Sequence, residues 1–120
     1  MKNVFTTYLV LNLLIEGLAA VALIGAGLGN FAFAQFEGGI WSMNYGFAAI
    51  AIASALFWVW PYRSRRDVVG AVLGILFTFH ALICISFAIQ AEQLPATVVH
   101  GLMALFGVFL YTRRPAWCHD

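Results

Sequence analysis

Residues 68–90 read VVGAVLGILFTFHALICISFAIQ, an apolar run without a single Asp, Glu, Lys or Arg. A helix rises about 1.5 Å per residue, so a run of this length can cross the roughly 30 Å hydrocarbon core of a bilayer. Three more apolar runs lie at about residues 4–29, 40–60 and 95–112. The four runs predict four transmembrane helices.

The composition of the whole chain points to the same class of protein. Of 120 residues, 63% are hydrophobic and 9% are charged, whereas a soluble domain carries about 25% charged residues. The four runs and their connections account for residues 1–120, so we expect a single transmembrane domain. The formal net charge of +1 gives no reason to expect a nucleic-acid partner.

The connections between the runs predict how the helices are arranged. They lie at about residues 30–39, 61–67 and 91–94, too short to carry the chain back across a membrane. Neighbouring helices should therefore run antiparallel. Strands would need a closed barrel with alternating polarity, which the sequence lacks. We predict an all-α integral membrane protein, an up-down-up-down bundle of four transmembrane helices.

The positions of the basic residues predict the orientation of this bundle. All six lie at the N-terminus, in the second connection or after the last run: Lys2, Arg63, Arg65, Arg66, Arg113 and Arg114. The first and third connections contain Glu37 and Glu92 but no Lys or Arg. Because basic residues of short loops stay on the cytoplasmic side, we expect both termini to be cytoplasmic.

Three ionisable side chains lie deep in three different runs. Glu16, His80 and His100 are each twelve residues from the end of their run that carries positive charge, or roughly 18 Å at the helical rise. A charged group near mid-membrane costs about 2.5 kcal/mol or more on insertion scales, so it usually faces protein. We predict that the three share one layer inside the bundle and carry the function.

Other polar side chains accompany this layer and are predicted to line a ligand site: Asn12, Asn44, Cys84 and Thr97. Asn12 is one turn from Glu16 and Cys84 one turn from His80, so each pair shares a helix face. Thr97 is three residues from the histidine of its own run, and Asn44 lies at the same predicted depth as Cys84.

Several kinds of site are compatible with a Glu, His, His layer. A lipophilic small molecule or cofactor could bind there, with the carboxyl and an imidazole exchanging a proton. The two histidines could bind a haem axially, or all three residues could bind non-haem iron or zinc. No motif chooses between these sites, so the cofactor is unknown and catalysis is an open question.

A purely structural role competes with these sites. Polar side chains hold transmembrane helices together, so the layer of an accessory subunit could serve packing alone. Gly70 and Gly74 form a G-x-x-x-G step that predicts a face for close helix approach, within the chain, in a homo-oligomer or in a membrane complex. Transport by alternating access is disfavoured because no run shows a broken helix.

The segment Leu14-Ile15-Glu16-Gly17 and the closing Arg113-Arg114-Pro115 resemble features of the DoxX-like group of small bacterial four-helix membrane proteins. The resemblance extends over the chain's length and short loops. It implies a four-helix fold in the bacterial inner membrane and a redox-associated or accessory role. It assigns no functional residue to this sequence.

Overall fold

The structure is a computed structural model that describes residues 1–29, 40–91 and 93–119. Two features of the sequence analysis, the first connection with Glu37 and the third-connection residue Glu92, lie outside the described residues. Within the described ranges the regular elements are helices and no strand is formed. The all-helical prediction is confirmed.

The described residues form five α-helices: α1 (Lys2–Gly27), α2 (Ile40–Ala53), α3 (Ala55–Val59), α4 (Arg66–Gln90) and α5 (Leu94–Arg113). Short 3-10 turns follow α3 and α5. Four spans are long and apolar enough to cross a membrane: Lys2–Gly27, Trp41–Tyr62, Arg66–Gln90 and Leu94–Ala116. This agrees with the four predicted runs to within a few residues at each end. The side of the membrane on which the termini lie stays a prediction.

The second span is interrupted at Ser54, contrary to the uninterrupted run expected over residues 40–60. The Phe57 amide donates to the Ser54 carbonyl at 2.9 Å, a tighter turn than the α-helix makes. The Ser54 hydroxyl donates to the Ala51 carbonyl at 2.7 Å, an arrangement that tends to bend helices. Residues Trp41–Tyr62 still form one span of membrane length, so Ser54 marks a local change of hydrogen bonding within it.

The chain divides into two compact units, Met1–Tyr8 with Val59–Asp120 and Leu9–Trp58. In the first unit, α4 packs along α5. Phe77 early in α4 stacks edge-on against Tyr111 late in α5, with ring centroids 5.7 Å apart. Nearer the connection, Cys84 lies against Gly101. Early residues of one helix thus meet late residues of the other, so the two helices run antiparallel.

Close approach in this unit occurs at Gly107 rather than at the G-x-x-x-G step. A Cβ at Gly107 would lie 2.7 Å from the Tyr8 hydroxyl and 2.8 Å from the Phe77 Cβ. A Cβ at Gly74 would meet nothing within 4 Å, and one at Gly70 would lie 3.1 Å from the Arg114 Nε. Gly70 thus admits a neighbouring side chain, and Gly107 is where neighbours come closest in this unit. What packs on the Gly70 and Gly74 face as a whole stays a prediction.

In the second unit, α1 presents a stripe of buried residues at intervals of three or four: Asn12, Glu16, Ala20, Leu23 and Ala26. A Cβ at Gly46 of α2 would lie 2.7 Å from the Ile24 Cγ1, so the two helices touch there. The Asn12 side-chain amide donates to the Ile52 carbonyl at 3.0 Å. That carbonyl lies two residues before Ser54, where the hydrogen bonding of the helix changes.

The segment after α5 folds back over the start of α4. We call residues 117–119 the tail segment. The His119 carbonyl accepts from the Arg66 amide at 2.9 Å, and its amide donates to the Ser64 carbonyl at 2.8 Å. The Trp117 ring packs on Phe5 with centroids 5.3 Å apart. Backbone bonds and an aromatic contact thus join the tail segment to the rest of the first unit.

Candidate functional site

His80 of α4 and His100 of α5 face each other in the interior of the antiparallel pair. His80 is fully buried and His100 is 6% exposed. Their Nδ1 atoms are 2.9 Å apart, the distance of a hydrogen bond. Two neutral imidazoles satisfy this contact when one Nδ1 carries the proton and the other accepts it. One Nδ1 of the pair is therefore protonated and the other is not.

Aromatic rings surround the two histidines. The Phe79 centroid is 5.4 Å from that of His80, and the Phe87 centroid is 5.7 Å from that of His100. Both contacts fall in the range of favourable aromatic pairs. These rings restrict the rotation of the imidazoles and keep the surroundings apolar. The nitrogens are thus held in one orientation and in a medium where polar interactions are strong.

Glu16 of α1, in the second unit, is completely buried. Its place in one layer with His80 and His100 stays a prediction from the sequence. Two imidazole nitrogens and a carboxylate oxygen form a donor set that transition metals accept.

The spacing of the two histidine nitrogens allows both to bind one ion. With metal–nitrogen bonds of about 2.1 Å, an ion bound to two nitrogens 2.9 Å apart would see them at an angle of about 90°. Neighbouring ligands in octahedral coordination take that angle, and tetrahedral coordination needs only a few tenths of an ångström more separation. The separation of the two nitrogens is therefore compatible with one shared ion, provided that the bonded proton leaves and the imidazoles turn to point both lone pairs at it.

A bis-histidine haem does not fit the same pair. Its iron and porphyrin lie between the two imidazoles, so the ligating nitrogens would stand about 4 Å apart on opposite faces. Here the Nδ1 atoms of His80 and His100 contact each other directly at 2.9 Å. No porphyrin plane can pass between the two imidazoles as they are placed.

The other predicted site residues are placed in different ways. Asn12 is buried and bonded to the Ile52 carbonyl. Cys84 is half-buried, with its sulfur 3.3 Å from the position of a Cβ on Gly101. The Thr97 hydroxyl donates to the Gln93 carbonyl of its own helix. Asn44 is exposed, so the structure does not bring it into the buried group.

Sequence reasoning missed three aromatic residues that shape this unit. Phe79 and Phe87 are ordinary members of an apolar run, and only their contacts distinguish them. Tyr8 is fully buried, and its ring stacks edge-on against Phe106 with centroids 5.4 Å apart. Its spacing of four from Asn12 could have marked it, because residues four apart share a helix face.

Comparisons with known proteins identified no relative: no family model, no curated protein and no solved structure matches the chain.

Proposed function

We propose that this protein is a cell-membrane protein whose buried His80 and His100 side chains bind a divalent transition-metal ion within the bilayer, with Glu16, which the sequence predicts at the same depth, as a further ligand. The single observation that carries the proposal is the pair of buried imidazoles, whose Nδ1 atoms are 2.9 Å apart. In this proposal the four spans form an up-down-up-down bundle with both termini cytoplasmic, as the distribution of basic residues predicts.

The chemistry of the donors favours zinc or iron over magnesium or calcium. Imidazole suits zinc, iron, nickel and copper, whereas magnesium and calcium prefer all-oxygen sites. Two histidines and one carboxylate are the ligand types of non-haem iron centres and of several zinc enzymes. Three protein ligands leave further coordination positions open, so a bound ion could accept water or a substrate group as a Lewis acid.

Charge balance gives a second reason for a cation at this depth. An ionised carboxylate is costly in an apolar interior unless a positive charge or strong donors accompany it. A divalent ion beside Glu16 would supply that charge, and each neutral imidazole would offer a lone pair. The same side chains would then serve binding and stability together.

A second candidate function has its own supporting observation. The Phe79 and Phe87 rings beside the histidines offer an apolar, aromatic surface of the kind that small-molecule sites use. We propose a lipophilic ligand near the cluster as the alternative, with Glu16 and the histidines in acid–base roles. The resemblance to the DoxX-like group favours a redox-associated or accessory membrane role for either site.

The metal proposal is tested by titrating the full-length protein in detergent with Co²⁺, whose visible bands report its ligands. We expect one ion per chain, displaced by Zn²⁺. His80→Gln and His100→Gln should weaken binding by more than the roughly 10–100-fold that loss of an outer-shell partner costs. Glu16→Gln should keep the shape of the group but weaken binding as well, because the amide oxygen carries no charge.

The third histidine of the chain provides the matched control. His119 is exposed, and the contacts of its backbone hold the tail segment, so His119→Gln should leave the titration unchanged. Equal losses for His119→Gln and His80→Gln, or a wild-type protein that binds no Co²⁺, would refute the metal site. A lipid-like molecule that copurifies with wild type but not with Glu16→Gln would support the alternative.

A further inference from the structure

Backbone hydrogen bonding along the second span changes at Ser54, and we call residues 51–58 the Ser54 turn. In a regular helix the Phe57 amide would bond to the carbonyl four residues earlier, at Ala53. Here it bonds to the Ser54 carbonyl at 2.9 Å. The Trp58 amide reaches the same carbonyl at 3.5 Å, longer than an ordinary hydrogen bond. One carbonyl therefore serves two amides, and one of the two bonds is weak.

Side chains donate to the two carbonyls just before this point. In a regular helix each of these carbonyls accepts from the amide four residues later. The Ser54 hydroxyl donates to the Ala51 carbonyl at 2.7 Å and accepts from the Trp58 indole at 3.2 Å. The Asn12 amide of α1 donates to the Ile52 carbonyl at 3.0 Å. Two side-chain donors thus meet consecutive backbone acceptors where the helical pattern changes.

The Asn12 bond differs from the others because it comes from another helix. Asn12 is fully buried, and an amide in an apolar interior needs a hydrogen-bond partner. In lipid, an irregular helical turn is tolerated when neighbouring helices and hydroxyl side chains bond to its backbone groups. Asn12 and Ser54 supply these two kinds of donor. The form of the Ser54 turn is therefore tied to the position of α1.

Irregular turns of this kind are places where helices flex. A stretch of 3-10 bonding within a helix often marks a hinge, and helices kink where a side chain inserts among the backbone bonds. We propose that the second span is hinged at the Ser54 turn and that the Asn12 bond to Ile52 holds the hinge in its irregular form. When that bond is released, the amides of residues 55–57 bond to the carbonyls of residues 51–53, and the span becomes one continuous helix.

The two forms of the hinge exchange a small number of bonds. Release replaces side-chain donors by backbone amides at the Ala51 and Ile52 carbonyls. Because few bonds change, loss of a single donor shifts the balance between the forms. The part of the span that moves is α3, whose Phe57 and Trp58 side chains are 65% and 77% exposed. The hinge therefore sets where these two rings lie on the outer surface of the protein.

The first measurement follows the carbonyl that Asn12 holds. Solid-state NMR of the full-length protein in lipid bilayers uses ¹³C at isoleucine carbonyls and ¹⁵N at alanine amides. Only two isoleucines precede alanine, in Ile50–Ala51 and Ile52–Ala53. The Ile50 carbonyl accepts from the Ser54 amide at 2.9 Å, the regular helical pattern, so it is an internal reference. In Asn12→Leu the Ile52 carbonyl signal should move toward that of Ile50, which should stay in place.

The second measurement is hydrogen exchange of the Phe57 amide, and it decides the proposal. Labelling ¹³C at leucine carbonyls and ¹⁵N at phenylalanine amides selects Leu56–Phe57, Leu76–Phe77 and Leu105–Phe106. The last two pairs lie within α4 and α5 and serve as references. Asn12→Leu gives the Phe57 amide a regular acceptor, so its exchange should slow by about fivefold or more, the effect of one hydrogen bond. A merely destabilised protein would exchange faster at all three amides.

Two further variants control for the substitution itself. Asn44→Leu makes the same change on α2, where the side chain is exposed, and should leave both measurements unchanged. Ser54→Ala removes the hydroxyl bonded to the Ala51 carbonyl and should slow Phe57 exchange in the same direction as Asn12→Leu. Ser54→Ala also tests the hinge if Asn12→Leu does not fold.

Each result either supports or overturns the hinge. Slower Phe57 exchange in Asn12→Leu and Ser54→Ala, with unchanged reference amides, supports it. Unchanged or faster Phe57 exchange in Asn12→Leu overturns it even if the Ile52 signal moves, because the bond would then exist without controlling the turn. An effect of Asn44→Leu as large as that of Asn12→Leu overturns it as well. If Asn12→Leu is unfolded, the Phe57 exchange of Ser54→Ala decides in the same terms.

Discussion

Polar side chains in the middle of the α4 and α5 pair and at its open end find different kinds of hydrogen-bond partner. The open end is the one opposite the connection between the two helices. In the middle, His80 bonds to the side chain of His100. At the open end, Arg114 bonds to the carbonyl of Tyr111, and the tail segment bonds to the backbone of Ser64 and Arg66. Both regions place polar groups between largely apolar helices, yet one uses side-chain partners and the other backbone partners.

The difference follows from where a helix has backbone groups to spare. Within a regular helix, the amides and carbonyls are mostly bonded inside the helix, so the buried imidazoles of α4 and α5 use each other. The Asn12 amide reaches a backbone carbonyl at Ile52, close to the change of hydrogen bonding at Ser54. At a helix end, the last four carbonyls and first four amides have no partner in the helix. Polar side chains at helix ends can therefore bond to these backbone groups.

The largest expected effect concerns the close packing at Gly107, between α4, α5 and the start of α1. Gly107→Ala would place a Cβ 2.7 Å from the Tyr8 hydroxyl, and overpacking of this kind costs about 1–3 kcal/mol. We expect the free energy of unfolding in a detergent and dodecyl sulfate titration to fall by that amount. Gly74→Ala, with an unobstructed Cβ, should be neutral or stabilising by up to about 1 kcal/mol. Similar losses in the two variants would contradict the assignment of Gly107.

The next effect concerns the stability contributed by the hydrogen bond between the two histidines. His80→Leu alone leaves the His100 imidazole without its partner, and such a buried orphan costs about 1–3 kcal/mol. The double variant His80→Leu/His100→Leu should be less destabilised than the sum of the single variants, with a coupling of about 1–2 kcal/mol. The same unfolding titration, carried out without metal, measures this cycle. Strict additivity would mean that the 2.9 Å contact contributes nothing to stability.

A smaller effect is expected at the open end. Arg114→Gln loses the contact with the Tyr111 ring and carbonyl, but the glutamine amide can still reach water. We expect a loss of less than about 1 kcal/mol, the range of partly exposed cation–π contacts and ion pairs. If Arg114→Gln lowered the free energy of unfolding as much as His80→Leu does, polar contacts in both regions would contribute equally to stability. The contrast between the two regions would then be wrong.

The smallest expected effect is a change in the alkylation rate of Cys118 in the tail segment. Burial raises the pKa of the Cys118 thiol, partly opposed by the nearby charges of Arg114 and Arg66. At neutral pH fewer molecules carry the reactive thiolate, so alkylation should be slower than for a free cysteine and should rise at higher pH. A Cys84→Ala background isolates this thiol. Trp117→Ala, which removes the ring contact with Phe5, should accelerate labelling; an unchanged rate would contradict a docked tail.

Much of this architecture could be predicted from the sequence because the strongest signals are long. Four apolar runs predict the four spans, since nothing else satisfies a backbone in lipid. Glu16, His80 and His100 were found by counting from the charged ends of three runs, which works because a helix has a constant rise. Depth can be counted along a sequence, and the count places the two histidines at the level where they contact each other.

The features that the sequence did not reveal depend on which way a residue faces, and not on how deep it lies in the membrane. Gly74 and Gly107 are alike in sequence, and only the neighbour opposite each decides which one permits close packing. The interruption at Ser54 has no proline or glycine beside it to indicate it. The contact of the Arg114 side chain with Gly70 depends on where a guanidinium points, which no spacing rule supplies.

The tail segment also constrains the order in which the protein can be completed. Residues 117–119 are synthesised after α5, yet they bond to Ser64 and Arg66 and pack on Phe5. Contacts between such distant parts of a chain are the last to form. The first turn of α4 therefore lacks these partners until residues 117–119 have been made, and a nascent chain halted after α5 would expose it to protease. Synthesis of the tail segment would end that sensitivity at one step.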